Sequence, residues 1–171
     1  LTYAQLSSSV ASLARSLREV GVVAGDRVAA YMPNLMETAV AMLAATSIGA
    51  IWSSCGTELG PMAVLDRLGQ IEPKALFTVD GYPYKGKAFN FLPNVEKIAK
   101  GLPSLRKIIV VSFTKENRGI SSILNSILYH DFTSKESKPV IRFEQLPFDH
   151  PIYIMFSSGT TGKPKCMVQG V

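Results

Sequence analysis

Four hydroxyl side chains, two glycines and two lysines fall within nine residues, Ser157-Ser-Gly-Thr-Thr-Gly-Lys-Pro-Lys165, directly behind the apolar run Ile152 to Phe156. Gly159 and Gly162 let the backbone turn tightly and approach an anion with no side chain in the way. Ser157, Ser158, Thr160 and Thr161 offer hydroxyl donors, and successive backbone N–H groups in such turns form an anion-binding nest. Lys163 and Lys165 add positive charge. Hydrogen bonds to charged groups contribute about 1.5–3 kcal/mol each, so the set suits a polyphosphate. The spacing is not that of a Walker loop, which needs four residues between its glycines and then Lys followed by Ser or Thr. Here two residues separate Gly159 from Gly162, and Pro164 stands where the hydroxyl residue would be. Proline also keeps the residue before it out of the helical region. The segment therefore reads as a mobile loop that holds phosphate through backbone and hydroxyls. The competing reading, a plain Gly/Ser/Thr linker, is weakened by the strand-like run before it and by the paired lysines.

The other reactive side chains make weaker cases. Tyr82-Pro-Tyr-Lys-Gly-Lys87 puts Lys85 and Lys87 in a basic turn, for which simple solvation is the competing reading. His130 and His150 look like catalytic bases only in isolation, and His150, just before Pro151 at the start of a strand, reads as structural. Trp52 fits a core aromatic better than a channel lining. Cys166 follows the loop closely, but the sequence positions no His or Asp to activate it. Asp66 and Arg67 read as a surface or packing pair.

The elements that must position the loop alternate in type. Thr2 is a plausible N-cap for a helix carrying Leu6, Val10, Leu13 and Leu17 at helical spacing, with Gly21 as its stop. Val28 to Met32 reads as a buried strand, Leu35 to Ile48 as a helix apolar nearly all round and hence buried, and Ala50 to Ser53 as a second strand. Pro61 opens a third helix, Met62 to Ile71. Lys74 to Val79 and Lys107 to Val111 are buried-type strands, with a polar, aromatic loop over 80–91 and a helix over Pro93 to Lys100 between them. Residues 114–140 are weakly patterned, with a short helix around Ile120 to Tyr129, and read as a surface insertion. Ile152 to Phe156 is the final strand. Such alternation predicts an α/β fold, a mainly parallel sheet flanked by helices. Ligands of such sheets bind at the carboxyl ends of the strands, which is where the loop emerges.

Composition narrows the classes. At 171 residues, 47% hydrophobic and 18% charged, the chain supports one core and is not disordered. The net charge of +5 comes from scattered lysines and arginines, which suits anionic small molecules better than nucleic acid. Two distant cysteines, Cys55 and Cys166, give neither a disulfide scaffold nor metal-type spacing, and a reducing compartment, the cytosol, is the default. No apolar stretch is long enough for a membrane helix. The chain begins at Leu1, and both ends fall inside patterned sequence, which predicts a piece of a longer protein.

The nine-residue loop resembles the phosphate-loop signature of the adenylate-forming enzymes: acyl-CoA synthetases, peptide-synthetase adenylation domains and luciferases. The resemblance extends along the chain, through Thr2-Tyr-Ala-Gln-Leu6, Gly25-Asp-Arg-Val-Ala29, Met32-Pro-Asn34 and Gly49 to Ser54. Val64 to Lys74, Lys100 to Pro103, Phe143 to Phe148 and His150 to Val168 narrow it to one branch of the acyl-CoA synthetases. The resemblance implies that residues 1–171 are an incomplete N-terminal AMP-binding domain, with the C-terminal domain absent and the piece alone inactive. It implies a two-step ligation: ATP and acetoacetate give an acyl-adenylate and pyrophosphate, and CoA then displaces AMP. It assigns the ATP phosphates to Ser157, Ser158, Gly159, Thr160, Thr161, Gly162, Lys163 and Lys165, and CoA phosphates to Lys87 and Lys85. Magnesium is implied by polyphosphate chemistry, and no ligand for it is visible. The resemblance places the acidic metal-binding residue and a lysine that aids adenylation further along. Two departures stand out. Gln169 occupies a position usually His, and Cys55-Gly-Thr-Glu-Leu-Gly60 replaces a common Ser-Pro-Asp-Phe-Gly form, so both bear on acyl or CoA binding.

Overall fold

The computed structural model describes residues 1–84, 87–114, 119–133, 139–158 and 162–170, with Tyr84 and Lys87 described for their backbone alone. The elements run α1 (Tyr3–Glu19), β1 (Arg27–Tyr31), α2 (Met36–Ser47), β2 (Ile51–Cys55), α3 (Pro61–Leu68), β3 (Ala75–Val79), β4 (Gly81–Tyr84), β5 (Lys87–Asn90), α4 (Leu92–Gly101), β6 (Lys107–Val111), β7 (Ser126–Leu128), α5 (Tyr129–Phe132), β8 (Tyr153–Ser157) and β9 (Lys165–Gln169).

Helix α1 starts where its capping chemistry dictates. Thr2 Oγ1 accepts from Gln5 N at 3.2 Å and Gln5 Oε1 accepts from Thr2 N at 2.8 Å, a reciprocal box whose cap contributes about 1 kcal/mol. Its apolar stripe, Val10, Leu13, Ala14 and Leu17, is buried. In β1, β3 and β6 nearly every residue is buried, the mark of parallel strands covered on both faces. The seven-stranded sheet has the order β7-β6-β3-β1-β2-β8-β9 and is parallel except where β9 turns back along β8. Helix α2 packs on α1 and α3 packs on α4, and the right-handed crossovers usual for such connections would set the two pairs on opposite faces. This is the mainly parallel, helix-flanked α/β sheet that the alternation predicts.

Four expectations need correction. The loop over 80–91 is a two-stranded antiparallel hairpin, β4 with β5. In a two-stranded ribbon each strand is an edge, so the missing N–H of Pro83 can face outward. The short helix over 120–129 is instead a turn leading to β7, with a one-turn helix after it. Ile152 to Phe156 is not the last strand, because Lys165–Gln169 pairs antiparallel with it. Finally, α2 buries one face, Val40, Ala41, Ala44 and Ala45, while Met36 is exposed.

Candidate functional site

The phosphate-type loop is carried between two paired strands. Ser157 pairs with Lys165, Phe156 with Cys166 and Met155 with Met167. Directly opposed residues share a face, so the Ser157 hydroxyl and the Lys165 cation lie on one side and Phe156 and Cys166 on the other. β8 is fixed to the sheet at its base: Trp52 N donates to Ile152 O at 2.9 Å, and the buried Ser53 Oγ donates to Ile154 O at 2.8 Å. Ser158 and Lys163 are exposed, and among the described residues neither Lys163 nor Lys165 is paired with a carboxylate. Gly162 has φ +113 with no atom of the described residues within 4 Å of where a Cβ would stand, so backbone conformation is what favours glycine there. Gly159, Thr160 and Thr161 lie outside the described residues, and with them the expectation of mobility.

One side chain from elsewhere meets the loop's second limb. Gln70 Nε2 donates to Pro164 O at 2.9 Å, and Gln70 Oε1 accepts from Cys166 Sγ at 3.5 Å. Sequence reasoning gave Gln70 no role. Nothing local marks it, because its partners lie 94 and 96 positions away.

A second convergence sits at the carboxyl ends of β1 and β3. There the connection from β1 leaves toward β2 and that from β3 toward β6, the switch point where open α/β sheets bind ligands. The buried Tyr31 at the end of β1 donates its hydroxyl to Leu59 O at 2.5 Å and packs 4.5 Å from the Phe91 ring. Burial, then the neighbouring Tyr82, push its phenol up to about 12. Tyr82 meets Phe91 edge-on at 5.5 Å and stacks with Phe89 at 5.8 Å, so the hairpin's aromatic face roofs this point.

Asp80, 2% exposed, anchors the hairpin. Its carboxylate accepts from Phe113 N at 2.9 Å, Thr114 N at 3.1 Å, Thr114 Oγ1 at 3.0 Å and Ser112 Oγ at 3.2 Å. Its own backbone binds Val111 O and Phe91 N. A Cβ on the next residue, Gly81, would stand 2.4 Å from Phe89 O. Lys87, on β5 opposite Tyr84, is thus placed at the hairpin's end, whereas Lys85 lies outside the described residues.

Between the two convergences a cavity of about 490 Å³ is lined by Trp52, Cys55, Glu58, Arg67, Met155 and Phe156, among others. Trp52 is at once a buried aromatic, 6.4 Å from the Phe77 ring, and a wall of this cavity. Burial pushes the Cys55 thiol up to about 11 against the pull of Arg67. His150 donates from Nε2 to Gly49 O at 2.8 Å, the structural role expected of it, and His130 is exposed beside Asp131. Gln169 lies in β9 opposite Tyr153. Among the described residues no three His, Cys, Asp or Glu side chains converge as metal ligands. No described helix is long and apolar enough to cross a membrane.

The family model of the AMP-binding enzymes matches residues 1–169. The acetoacetyl-CoA synthetase of Xenopus tropicalis is 48% identical over 98% of this chain and 26% of its own length. That of Rhizobium meliloti (strain 1021) is 44% identical over the same shares. The solved structure of the acetoacetyl-CoA synthetase from Streptomyces lividans superposes with a TM-score of 0.90 at 42% identity, covering 99% of this chain and 25% of that one. The chain spans about a quarter of the length of these relatives.

Proposed function

Because this chain belongs to the AMP-binding enzyme family, we propose that it is the first part of the AMP-binding domain of an ATP-dependent acid–thiol ligase acting on acetoacetate. The observation that carries this reading is the pair of limbs on either side of the loop: Ser157 ends β8 and Lys165 opens β9 opposite it, and neither Lys163 nor Lys165 is paired with a carboxylate among the described residues. A carboxylate is a poor acylating agent, and its attack on the α-phosphorus of ATP converts it to an acyl-adenylate as pyrophosphate leaves. The thiolate of CoA then attacks the acyl carbon, and AMP departs. Negative charge grows on pyrophosphate in the first step. Ser157, Ser158, Thr160 and Thr161 with the backbone at Gly159 and Gly162 donate to its oxygens, while Lys163 and Lys165 supply countercharge, the kind of preorganised stabilisation that lowers such barriers. Lys87, with Lys85, meets CoA phosphates at the hairpin end. The choice of acetoacetate rests on likeness to the acetoacetyl-CoA synthetases. Two unpaired cysteines suit a cytosolic enzyme.

The test is pyrophosphate release by the full-length protein, with ATP and CoA, across a series of short acids. Acetoacetate is expected to give the highest kcat/KM. A better turnover of another short acid overturns the substrate and keeps the ligase, whereas no acid-dependent release from any acid overturns both. The 171 residues alone are expected to form no acetoacetyl-CoA.

A further inference from the structure

The loop assigned above to the ATP phosphates has one limb gripped from outside. We propose that Gln70 is a positioning residue for that limb, setting where Lys163 and Lys165 stand. The inference rests on the phosphate reading of the loop.

The grip uses the whole carboxamide. Nε2 donates one proton to Asp66 O at 2.6 Å and the other to Pro164 O at 2.9 Å, while Oε1 accepts from Cys166 Sγ at 3.5 Å. An amide offers two donors and one carbonyl acceptor. Turning it by half a rotation would point its oxygen at two carbonyls, so the orientation is set by its partners. The bond to Asp66 O fastens the amide to the last turn of α3 before it reaches across, which removes much of the freedom that a glutamine would lose on meeting the loop.

The placement of the two contacts matters more than their strength. Pro164 and Cys166 flank Lys165, and Lys163 is joined directly to Pro164. Fixing 164 and 166 therefore fixes the backbone from which both cations project. The far limb is held differently, by Trp52 and Ser53 at the base of β8. Without Gln70 the loop would stay closed through the Ser157–Lys165 pair, but the lysine-bearing limb would lose its tie to α3. Gln70 acts through this backbone, because its amide is engaged by Asp66, Pro164 and Cys166. Its removal should weaken ATP binding and leave CoA binding, on the hairpin across the sheet, as it was.

The test uses Gln70→Met, an apolar near-isostere, and Gln70→Glu, which loses both donors and sets a carboxylate against two carbonyls, in the full-length protein. The first readout needs no activity. Trypsin cuts after Lys165 but not at Lys163–Pro164, and iodoacetamide reports on the exposed Cys166. Both rates at this limb are expected to rise about three- to tenfold in the variants, the range set by losing one or two hydrogen bonds, with other tryptic sites unchanged. Unchanged rates show that the grip is absent and overturn the proposal. The second readout is steady-state: KM for ATP is expected to rise several-fold, more in Gln70→Glu, with KM for CoA and the melting temperature unchanged. Equal rises in both KM values with a lowered melting temperature mean a merely structural glutamine and overturn it too. A wild-type protein that releases no pyrophosphate with any acid defeats the functional reading first, and the positioning role falls with it even if the proteolysis result stands.

Discussion

At the scale of single residues, the chemistry of the loop is local and could be read directly from types and spacing. Gly162 shows why. Its φ of +113 in open space is a conformation that L side chains adopt only at a cost of about 1–2 kcal/mol. Gly162→Ala in the full-length ligase should therefore raise KM for ATP roughly 5- to 30-fold with little change in melting temperature, since nothing would be crowded. An unchanged ATP KM would mean that phosphate binding does not use this turn. Gln70 was illegible for the converse reason: its meaning lies in partners 94 and 96 positions away, and no local pattern encodes them. Tyr31 carries a second residue-scale consequence. Its phenol is raised from 10.0 to about 12 by burial, so between those values the unfolded chain releases a proton that the folded one keeps. The unfolded state then binds fewer protons, and stability falls as pH rises through that window. Cys55, raised from 9.0 to about 11, adds a loss of the same sign that begins lower. Denaturation of Tyr31→Phe from pH 9 to 12 should show a shallower alkaline decline than wild type, and parallel slopes would refute the assignment.

At the scale of elements, long periodic segments such as α1 and β3 were legible because burial on one or both faces leaves a pattern in residue type. The hairpin was not. Gly81, Pro83 and Gly86 are ordinary loop signals, and what turns this stretch into β4 and β5 is the long-range hub at Asp80 with the ring contacts of Tyr82, Phe89 and Phe91. β7 has only three residues, too few for an alternation to register. The hub makes the hairpin's stability separable from its binding role. Asp80→Ala leaves the Phe113 and Thr114 N–H groups without their buried acceptor, a loss of about 3 kcal/mol, and should lower the melting temperature and raise KM for CoA together. Lys87→Ala should raise KM for CoA alone and leave that for ATP untouched. If Lys87→Ala leaves the CoA KM where it was, the hairpin end does not meet CoA phosphates.

At the scale of the whole molecule, alternation of strands and helices predicted a parallel sheet but not its closing strand. β9 has no periodic burial to reveal it, because all five of its residues are exposed. It exists through its pairing with β8, which also makes it the rim of the seven-stranded sheet. That rim has consequences for the 171-residue chain on its own. Met167 and Val168 on β9, with Met155 on β8, are 38%, 58% and 49% exposed, beside a row of backbone groups that no further strand satisfies among the described residues. An unpaired edge carrying exposed apolar side chains is a template for pairing with another chain. The isolated 171 residues should therefore self-associate at micromolar concentration, seen as a concentration-dependent rise in sedimentation coefficient. Met167→Lys should suppress it, because the new cation shares a face with Lys165 two positions away and two copies would have to bring these charges together to pair. Salt should partly restore association of the variant, since exposed like charges are screened within about 8–10 Å at physiological ionic strength. A wild-type chain that sediments as a monomer throughout would show that β9 is not an adhesive edge, and a variant that associates as strongly as wild type would place the contact elsewhere.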